Sequence, residues 1–153
     1  MRYPLFLDLT REPVVVVGAG VVATRKIRAL LAAGAKVTII GPSATSAIQR
    51  MQNIRWLRRP YRQGDLRGAR LVIAATNDLV VNQRVCGEAK RRRLLVNCVA
   101  PPSAGNFIVP ASVRRGRLQI AISTGGTSPT LAKQVRQELE VYFRRRYARA
   151  RGD

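Results

Sequence analysis

A run of four valines that leads into a glycine-rich turn limits the possible folds of this chain more than any other feature. The run, residues 14–17, predicts a strand buried on both faces, as strands of parallel sheets are. Gly18 and Gly20 come next, and from Val21 the apolar residues recur at the spacing of a helix. The resulting G-x-G-x-x-A pattern, which ends at Ala23, is typical of a turn that holds the pyrophosphate of a dinucleotide at a helix N-terminus. The sequence therefore predicts a dinucleotide-binding unit.

Apolar segments further along the chain continue an alternation of strands and helices. Strands are predicted over residues 3–9, 36–40, 54–58, 71–75 and 94–99, and helices over residues 43–51 and 78–92. Helices that alternate with buried strands indicate an α/β fold with a Rossmann-like, doubly wound parallel sheet. Ligands bind such sheets at the carboxyl ends of the strands, where Gly18, Thr76 and Ala100 fall.

The composition of the chain changes after Pro101 and Pro102. A boundary is predicted near residue 111, between a nucleotide-binding unit (residues 1–111) and a smaller segment (residues 112–153). In that segment residues 117–123 alternate like a strand, and a polar glycine loop then leads into a helix. The helix has one apolar stripe, formed by Leu131, Val135, Leu139 and Tyr142. Because a single strand and helix cannot cover this stripe, the segment is predicted to pack on a second chain as a dimerisation segment.

The formal net charge of +20, from 28 basic and 8 acidic residues, is the most unusual bulk property of the chain. Nearly all of the basic residues are arginines, which suit bidentate binding of carboxylate or phosphate. Three kinds of partner could explain this charge: nucleic acid, an anionic membrane surface or a small polyanionic substrate. Alternatively, the surface is rich in arginine without binding any partner. Nucleic acid is disfavoured, because aromatic and basic residues are not interleaved and no known motif occurs.

Other residue types narrow the class of protein further. No signal peptide is predicted from the first residues, and no apolar run approaches the roughly 20 residues that a membrane helix needs. Cys86 and Cys98 lie far apart without a C-x-x-C motif, so both are expected to be buried, reduced thiols of a cytoplasmic protein without a membrane partner. The absence of histidine removes the commonest metal ligand and general base, and no metal site is predicted.

Five blocks of residues, in a fixed order over nearly the whole chain, are similar to those of a known family. They are residues 3–7, residues 17–26, residues 74–78 with Asn82, residues 106–110 and residues 123–129. The chain thereby resembles the precorrin-2 dehydrogenases, which also occur as the N-terminal part of siroheme synthases. The resemblance implies a homodimer that uses NAD to oxidise precorrin-2, a polycarboxylate tetrapyrrole, to sirohydrochlorin in siroheme biosynthesis. In some members ferrochelation of the product shares the site. Many relatives continue into a further helical region, so substrate capture is expected to differ here.

The motif and the resemblance together predict the site residues. For the cofactor these are Gly18, Gly20, Val21, Val22, Pro42, Ser43 and Thr76. For the substrate, which the resemblance places near the subunit junction, they are Asn106, Ser123, Thr124, Gly125 and Ser128. At the end of the second strand, where an acid often binds the ribose and favours NAD, this chain has Gly41, Pro42 and Ser43. That position therefore does not distinguish NAD from NADP.

The expected catalytic position departs from the family pattern. The family's candidate base is an aspartate that follows the fifth strand in the pattern Asn-Val-x-Asp, and here Ala100 takes its place. Alanine cannot accept a proton, so Asp78, water or a substrate carboxylate would have to do so. The sequence thus favours an active NAD-dependent dehydrogenase and leaves two alternatives. One is a non-catalytic NAD-binding sensor or subunit, and the other is the disfavoured nucleic-acid-binding protein.

Overall fold

Five parallel strands form a single sheet in the larger part of this chain. The computed structural model describes residues 2–147. Its sheet consists of β1 (Pro13–Val17), β2 (Lys36–Ile40), β3 (Ile54–Leu57), β4 (Leu71–Ala74) and β5 (Leu95–Cys98). The order across the sheet is β3-β2-β1-β4-β5. Because the chain winds outward from β1 and then returns to β4 on its other side, the topological switch point lies between β1 and β4.

Three helices pack on the two faces of this sheet: α1 (Val21–Ala32), α2 (Ser46–Gln49) and α3 (Leu79–Arg91). Successive residues of a strand point to opposite faces, and β1 shows the consequence. Val14 and Val16 are buried in a core with α1 and α2, whereas Val15 and Val17 are buried in a core with α3. Burying each valine stabilises the fold by about 1.5–3 kcal/mol. The predicted Rossmann-like, doubly wound α/β fold is confirmed.

Residues 3–9, which the sequence predicts as a strand, form neither a strand nor a helix. The side chains of Tyr3 and Phe6 are 87% and 68% exposed, and only Leu9 is buried. That prediction was wrong, because apolar residues gain little from an extended conformation when no neighbouring strand pairs with them. The predicted helix over residues 43–51 is also shorter in the structure, since Thr45 Oγ1 accepts a hydrogen bond from the Ile48 N–H and caps α2.

A second compact unit comprises Met1–Leu5 and Val109–Asp153, separate from the unit formed by Phe6–Ile108. Its described part contains an antiparallel hairpin, β6 (Ala111–Arg115) and β7 (Leu118–Ile122), and then α4 (Pro129–Tyr147). The predicted strand and helix are both present. The strand β6 was not predicted. Its sequence, Ala-Ser-Val-Arg-Arg, shows no apolar alternation, and Val113 is its single buried residue.

Helix α4 packs against the hairpin and has Ala132 and Phe143 buried. Val135 and Leu139 are partly buried, so the predicted apolar stripe is covered in part within the chain itself. The ends of the stripe are not covered, since Leu131 and Tyr142 are 49% and 50% exposed. Among the helices of residues 2–147, none is both long and apolar enough to cross a membrane.

Candidate functional site

Gly18 follows β1 and lies against the residue at the end of β4, at the switch point. Its backbone has a φ of +107°, and a Cβ at this position would lie 2.3 Å from the carbonyl oxygen of Ala75. Only glycine fits both the backbone angle and the contact. The Gly18 N–H donates to the Ile40 carbonyl over 2.8 Å, and the Ala75 N–H donates to the Val17 carbonyl over 2.8 Å. The start of the glycine turn, Val17 and Gly18, is therefore hydrogen-bonded to the residues at the carboxyl ends of β2 and β4.

Gly20 stands at the N-terminus of α1 and has a different role. It is the N-cap residue, and no side chain caps the helix. A Cβ at Gly20 would have nothing within 4 Å, so the space in front of the helix is open. The first turn contains no acidic residue that would repel an anion. The uncapped N–H groups around Val21 and Val22 and the helix dipole therefore fit a pyrophosphate.

The loop after β2 packs against the glycine turn. The Thr45 N–H donates to the Ala19 carbonyl over 3.1 Å. The hydroxyls of Thr45 and Thr24, the latter on α1, are 3.0 Å apart and share a hydrogen bond. Pro42 and Ser43 lie in this loop with exposed side chains. The predicted ribose contacts are therefore held beside the motif and are accessible to a ligand.

Asn82, on α3, connects the ends of β4 and β5. It is 0% exposed. Its Nδ2 donates to the carbonyls of Thr76 (3.1 Å) and Ala100 (2.9 Å), and its Oδ1 accepts from the Thr76 N–H (3.1 Å) and hydroxyl (2.8 Å). One amide side chain thus holds the residue predicted beside the cofactor and the residue at the expected base position.

Asn82 was not among the predicted site residues, although it belongs to one of the blocks that carry the resemblance. A signal was present in the sequence. Asn82 stands three, four and seven residues before Val85, Cys86 and Ala89, which are all buried. A polar residue on the apolar stripe of a helix must find partners inside the protein, and this one finds them at the carboxyl edge of the sheet.

Ala100 and Asp78, the two positions considered for proton transfer, both lie at this carboxyl edge. Ala100 follows β5 and offers only its backbone, whose carbonyl accepts hydrogen bonds from Asn82 and Cys98. Asp78 is the N-cap of α3, and its Oδ1 accepts from the N–H groups of Val80 (2.8 Å) and Val81 (3.1 Å). The carboxylate that could replace the missing base therefore already has a structural task.

Asn106, predicted as a substrate contact, holds the outermost strand β5. Its Oδ1 accepts from the Val96 N–H over 2.7 Å, and its Nδ2 donates to the Leu94 carbonyl over 2.8 Å. Its own N–H donates to the Val96 carbonyl over 2.9 Å. Since both ends of the amide are used within the chain, the structure accounts for Asn106 without a ligand.

The glycine loop of the smaller unit is closed by its own hydroxyl groups. Thr124 Oγ1 donates to the Ser128 carbonyl (2.9 Å) and accepts from the Ser128 N–H (3.1 Å). The Ser123 hydroxyl accepts from the Gly125 N–H over 3.2 Å, and the Ser128 hydroxyl accepts from the Leu131 N–H at the start of α4. These bonds bring the four predicted residues of the loop together in one compact turn.

Burial shifts the pKa of two groups in the larger unit. Burial lowers the pKa of Lys26, on α1, and the positive charge of Arg25 lowers it further. Burial and a hydrogen bond with Cys98 raise the pKa of the Cys86 thiol to about 12. Both cysteines are free and buried, as predicted.

Within residues 2–147, no group of three or more histidine, cysteine, aspartate or glutamate side chains is arranged to hold a metal ion.

Together these features define a class of protein. A parallel sheet in the order β3-β2-β1-β4-β5, with an uncapped helix N-terminus behind a glycine turn at the switch point, is a Rossmann-type dinucleotide-binding unit. A family model described as putative NAD(P)-binding matches residues 5–111. A second model, described as the central part of a sirohaem biosynthesis protein, matches residues 115–142.

Known relatives identify the family. The siroheme synthase of Methylobacillus flagellatus is 40% identical over 149 residues, which are 95% of this chain and 32% of that protein. The siroheme synthase of Methylococcus capsulatus is 42% identical over 147 residues, or 94% of this chain and 31% of that protein. The chain thus spans about a third of the length of these curated relatives. A solved structure titled SirC, precorrin-2 dehydrogenase, matches with a TM-score of 0.81 and 37% identity over 92% of this chain and 71% of that chain. This chain belongs to the family of precorrin-2 dehydrogenases and siroheme synthase N-terminal regions, which confirms the resemblance.

Proposed function

We propose that this chain oxidises precorrin-2 to sirohydrochlorin with NAD as the hydride acceptor, as a step of siroheme biosynthesis. The observation that carries the proposal is the open, glycine-lined N-terminus of α1 at the switch point of the sheet. The substrate is inferred from membership of the family, in which one solved relative is titled a precorrin-2 dehydrogenase.

The residues of the chain bind and orient the reactants in this proposal. The N–H groups at Val21 and Val22 hold the pyrophosphate behind Gly18 and Gly20, Pro42 and Ser43 contact the ribose, and Thr76 lies toward the reacting end of the cofactor. Bound NAD supplies the acceptor for the hydride that leaves the substrate. For the tetrapyrrole we propose the glycine loop that contains Ser123, Thr124, Gly125 and Ser128. Asn106 is left out, because its amide is used within the chain.

The proton that accompanies the hydride needs an acceptor. Ala100 has none, and one oxygen of Asp78 already accepts two backbone hydrogen bonds. The remaining acceptors are the second carboxylate oxygen of Asp78, water and a carboxylate of the substrate itself. This lack of a dedicated base at Ala100 favours a second candidate function, a non-catalytic NAD-binding sensor or subunit.

Incubation with precorrin-2 and NAD separates the two candidates. An enzyme forms one reduced nicotinamide for each sirohydrochlorin over many turnovers, whereas a sensor binds NAD without turnover. The same assay with added cobalt or iron reports whether the product is also chelated. Absence of any sirohydrochlorin above the rate without protein would refute the dehydrogenase proposal.

The arginine-rich surface supports a polycarboxylate as the substrate. Residues 2–147 contain three ion pairs, Arg59–Asp65, Arg92–Glu88 and Arg136–Glu140, so most of their arginines lack an acidic partner. Each hydrogen bond from such an arginine to a carboxylate contributes about 1.5–3 kcal/mol. We infer that this charge attracts the tetrapyrrole and does not serve nucleic acid. The two free, buried thiols suit a reducing compartment, and we place the protein in the cytoplasm.

We further propose that residues 1–111 act as the NAD-binding unit and that residues 112–153 form a homodimer interface. The support is the uncovered part of the α4 surface, where Leu131, Val141 and Tyr142 are 49%, 42% and 50% exposed. An open groove with a volume of about 590 Å³ lies beside Val141 and Tyr142. Large apolar side chains exposed along one helix are typical of an interface.

Introducing charges at both ends of this stripe tests the interface. The double variant Leu131→Glu, Tyr142→Glu should sediment as a folded monomer, because the charges would be buried without partners in a dimer. The control is Thr130→Glu, Gln134→Glu, which adds the same charge at exposed polar positions of α4 and should remain dimeric. A wild-type chain that is monomeric at micromolar concentration would contradict the proposal.

A further inference from the structure

The adenosine end of the cofactor site has an arginine whose position the sequence alone does not reveal. Strands β2 and β3 stay paired up to Ile40 and Leu57. One residue further, the Gly41 N–H donates to the Leu57 carbonyl over 3.1 Å. Arg58, which follows Leu57, therefore lies at the carboxyl edge beside the loop of residues 41–43. In Rossmann units this loop meets the ribose of the adenosine.

Trp56 connects Arg58 to that loop. The indole Nε1 donates to the Gly41 carbonyl over 2.9 Å, which fixes the ring against the loop. The guanidinium carbon of Arg58 lies 4.4 Å from the centroid of the same ring, within the range of a cation–π contact. The guanidinium is therefore held on a ring that is itself hydrogen-bonded to the expected ribose loop.

The charge of Arg58 is available to a ligand. Its neighbour Arg59 makes a bidentate pair with Asp65, with both distances 2.8 Å. Arg58 takes part in none of the ion pairs found in residues 2–147, and it is exposed. The loop itself, Gly41-Pro42-Ser43, contains no acid. A phosphate at this position would thus meet a cation and no neighbouring carboxylate of the loop.

We propose that the chain accepts NADP as well as NAD, and that Arg58 binds the 2′-phosphate. The inference rests on the proposed cofactor site and adds a specificity-determining residue to it. In NAD-specific units an acid in this loop accepts hydrogen bonds from the 2′-hydroxyl and repels a 2′-phosphate. Here both the repulsion and that hydrogen bond are missing. The forked N–H groups of arginine match a phosphate, and the Ser43 hydroxyl offers a further donor.

Fragments of the two cofactors test this end of the site alone. Calorimetry on the full chain should show tighter binding of 2′,5′-ADP than of 5′-AMP. Arg58→Ala should weaken 2′,5′-ADP by about tenfold, the loss of one charged hydrogen-bonding contact, and change 5′-AMP by less than about twofold. The control Arg55→Ala removes the same charge from an exposed position earlier on β3 and should leave both affinities unchanged. NAD and NADP, compared in the same way, should differ by less than about threefold or favour NADP.

Three results would overturn the inference. One is a wild-type chain that binds 5′-AMP at least as tightly as 2′,5′-ADP. Another is an equal loss of 2′,5′-ADP affinity in Arg55→Ala, which would indicate a general effect of surface charge. A third is NADP binding that is weaker than NAD binding by more than about threefold. If NAD, NADP and both fragments all fail to bind, the proposed cofactor site fails as well, and that outcome differs from all the others.

Discussion

Ala100→Asp should raise the turnover number with precorrin-2 by about a hundredfold or more. A positioned general base contributes about a hundred- to ten-thousand-fold to rate, which is roughly 3–5 kcal/mol of barrier. The position follows β5 at the carboxyl edge, and Asn82 holds its backbone next to Thr76. An aspartate there would act from a fixed backbone. Since the glycine turn is not changed, the affinity for NAD should stay within about twofold of the wild type.

Ala100→Asn is the matched control, because it has the shape of the aspartate and cannot act as a base. Turnover should rise only in the aspartate variant, and the gain should appear in kcat more than in KM. Asp78→Asn gives the complementary measurement, since asparagine caps a helix about as well as aspartate and removes only the carboxylate. A wild type that is already fast, with no gain in Ala100→Asp and no loss in Asp78→Asn, would exclude side-chain base catalysis at both positions.

Gly20→Asp should abolish measurable NAD binding while the protein stays folded. The backbone at Gly20 has a φ of −83° and a ψ of −170°, which any residue adopts, and an added Cβ would meet no atom within 4 Å. The new side chain would occupy the space in front of α1 with a negative charge, where the pyrophosphate is expected. We expect the dissociation constant for NAD to rise by about a hundredfold or more. The unfolding temperature should stay close to that of the wild type.

Gly18→Ala serves as the comparison, because it should lower the stability of the fold, which Gly20→Asp should not. Its Cβ would lie 2.3 Å from the Ala75 carbonyl oxygen, and its φ of +107° is strained for alanine. We expect this variant to lose several kcal/mol of the free energy of unfolding, or to fail to fold. Calorimetric titration with NAD and thermal unfolding of both variants check the pair. Unchanged NAD affinity in Gly20→Asp would refute the assignment of the cofactor site.

The contrast between Gly18 and Gly20 shows which features of the site could be predicted from the sequence and which could not. The motif predicts the strand, the turn and the helix because burial on both faces and helical periodicity leave local traces in the sequence. It does not say which glycine serves the fold and which leaves room for a ligand, since that depends on Ala75, more than fifty residues away in the chain.

Residues that act through distant partners were predicted least well. Asn82 gains its importance from its hydrogen bond with Ala100, and Arg58 gains it from Trp56, whose indole donates to the Gly41 carbonyl. The bonds to Ala100 and Gly41 exist only once the strands are aligned. Asn106 shows the reverse case, since a polar residue in a family block has a sufficient structural role. In the same way the apolar residues 3–9 suggested a strand, although no partner strand pairs with them.

The hydrogen bonds of Asn106 also affect how copies of this chain can associate. An outermost strand with free N–H and carbonyl groups is a template onto which another molecule can add a strand, and this is a common start of aggregation. On β5 the Val96 N–H and carbonyl, and just before it the Leu94 carbonyl, are already occupied by Asn106. This edge of the sheet therefore resists extension into a neighbouring molecule at Val96 and Leu94.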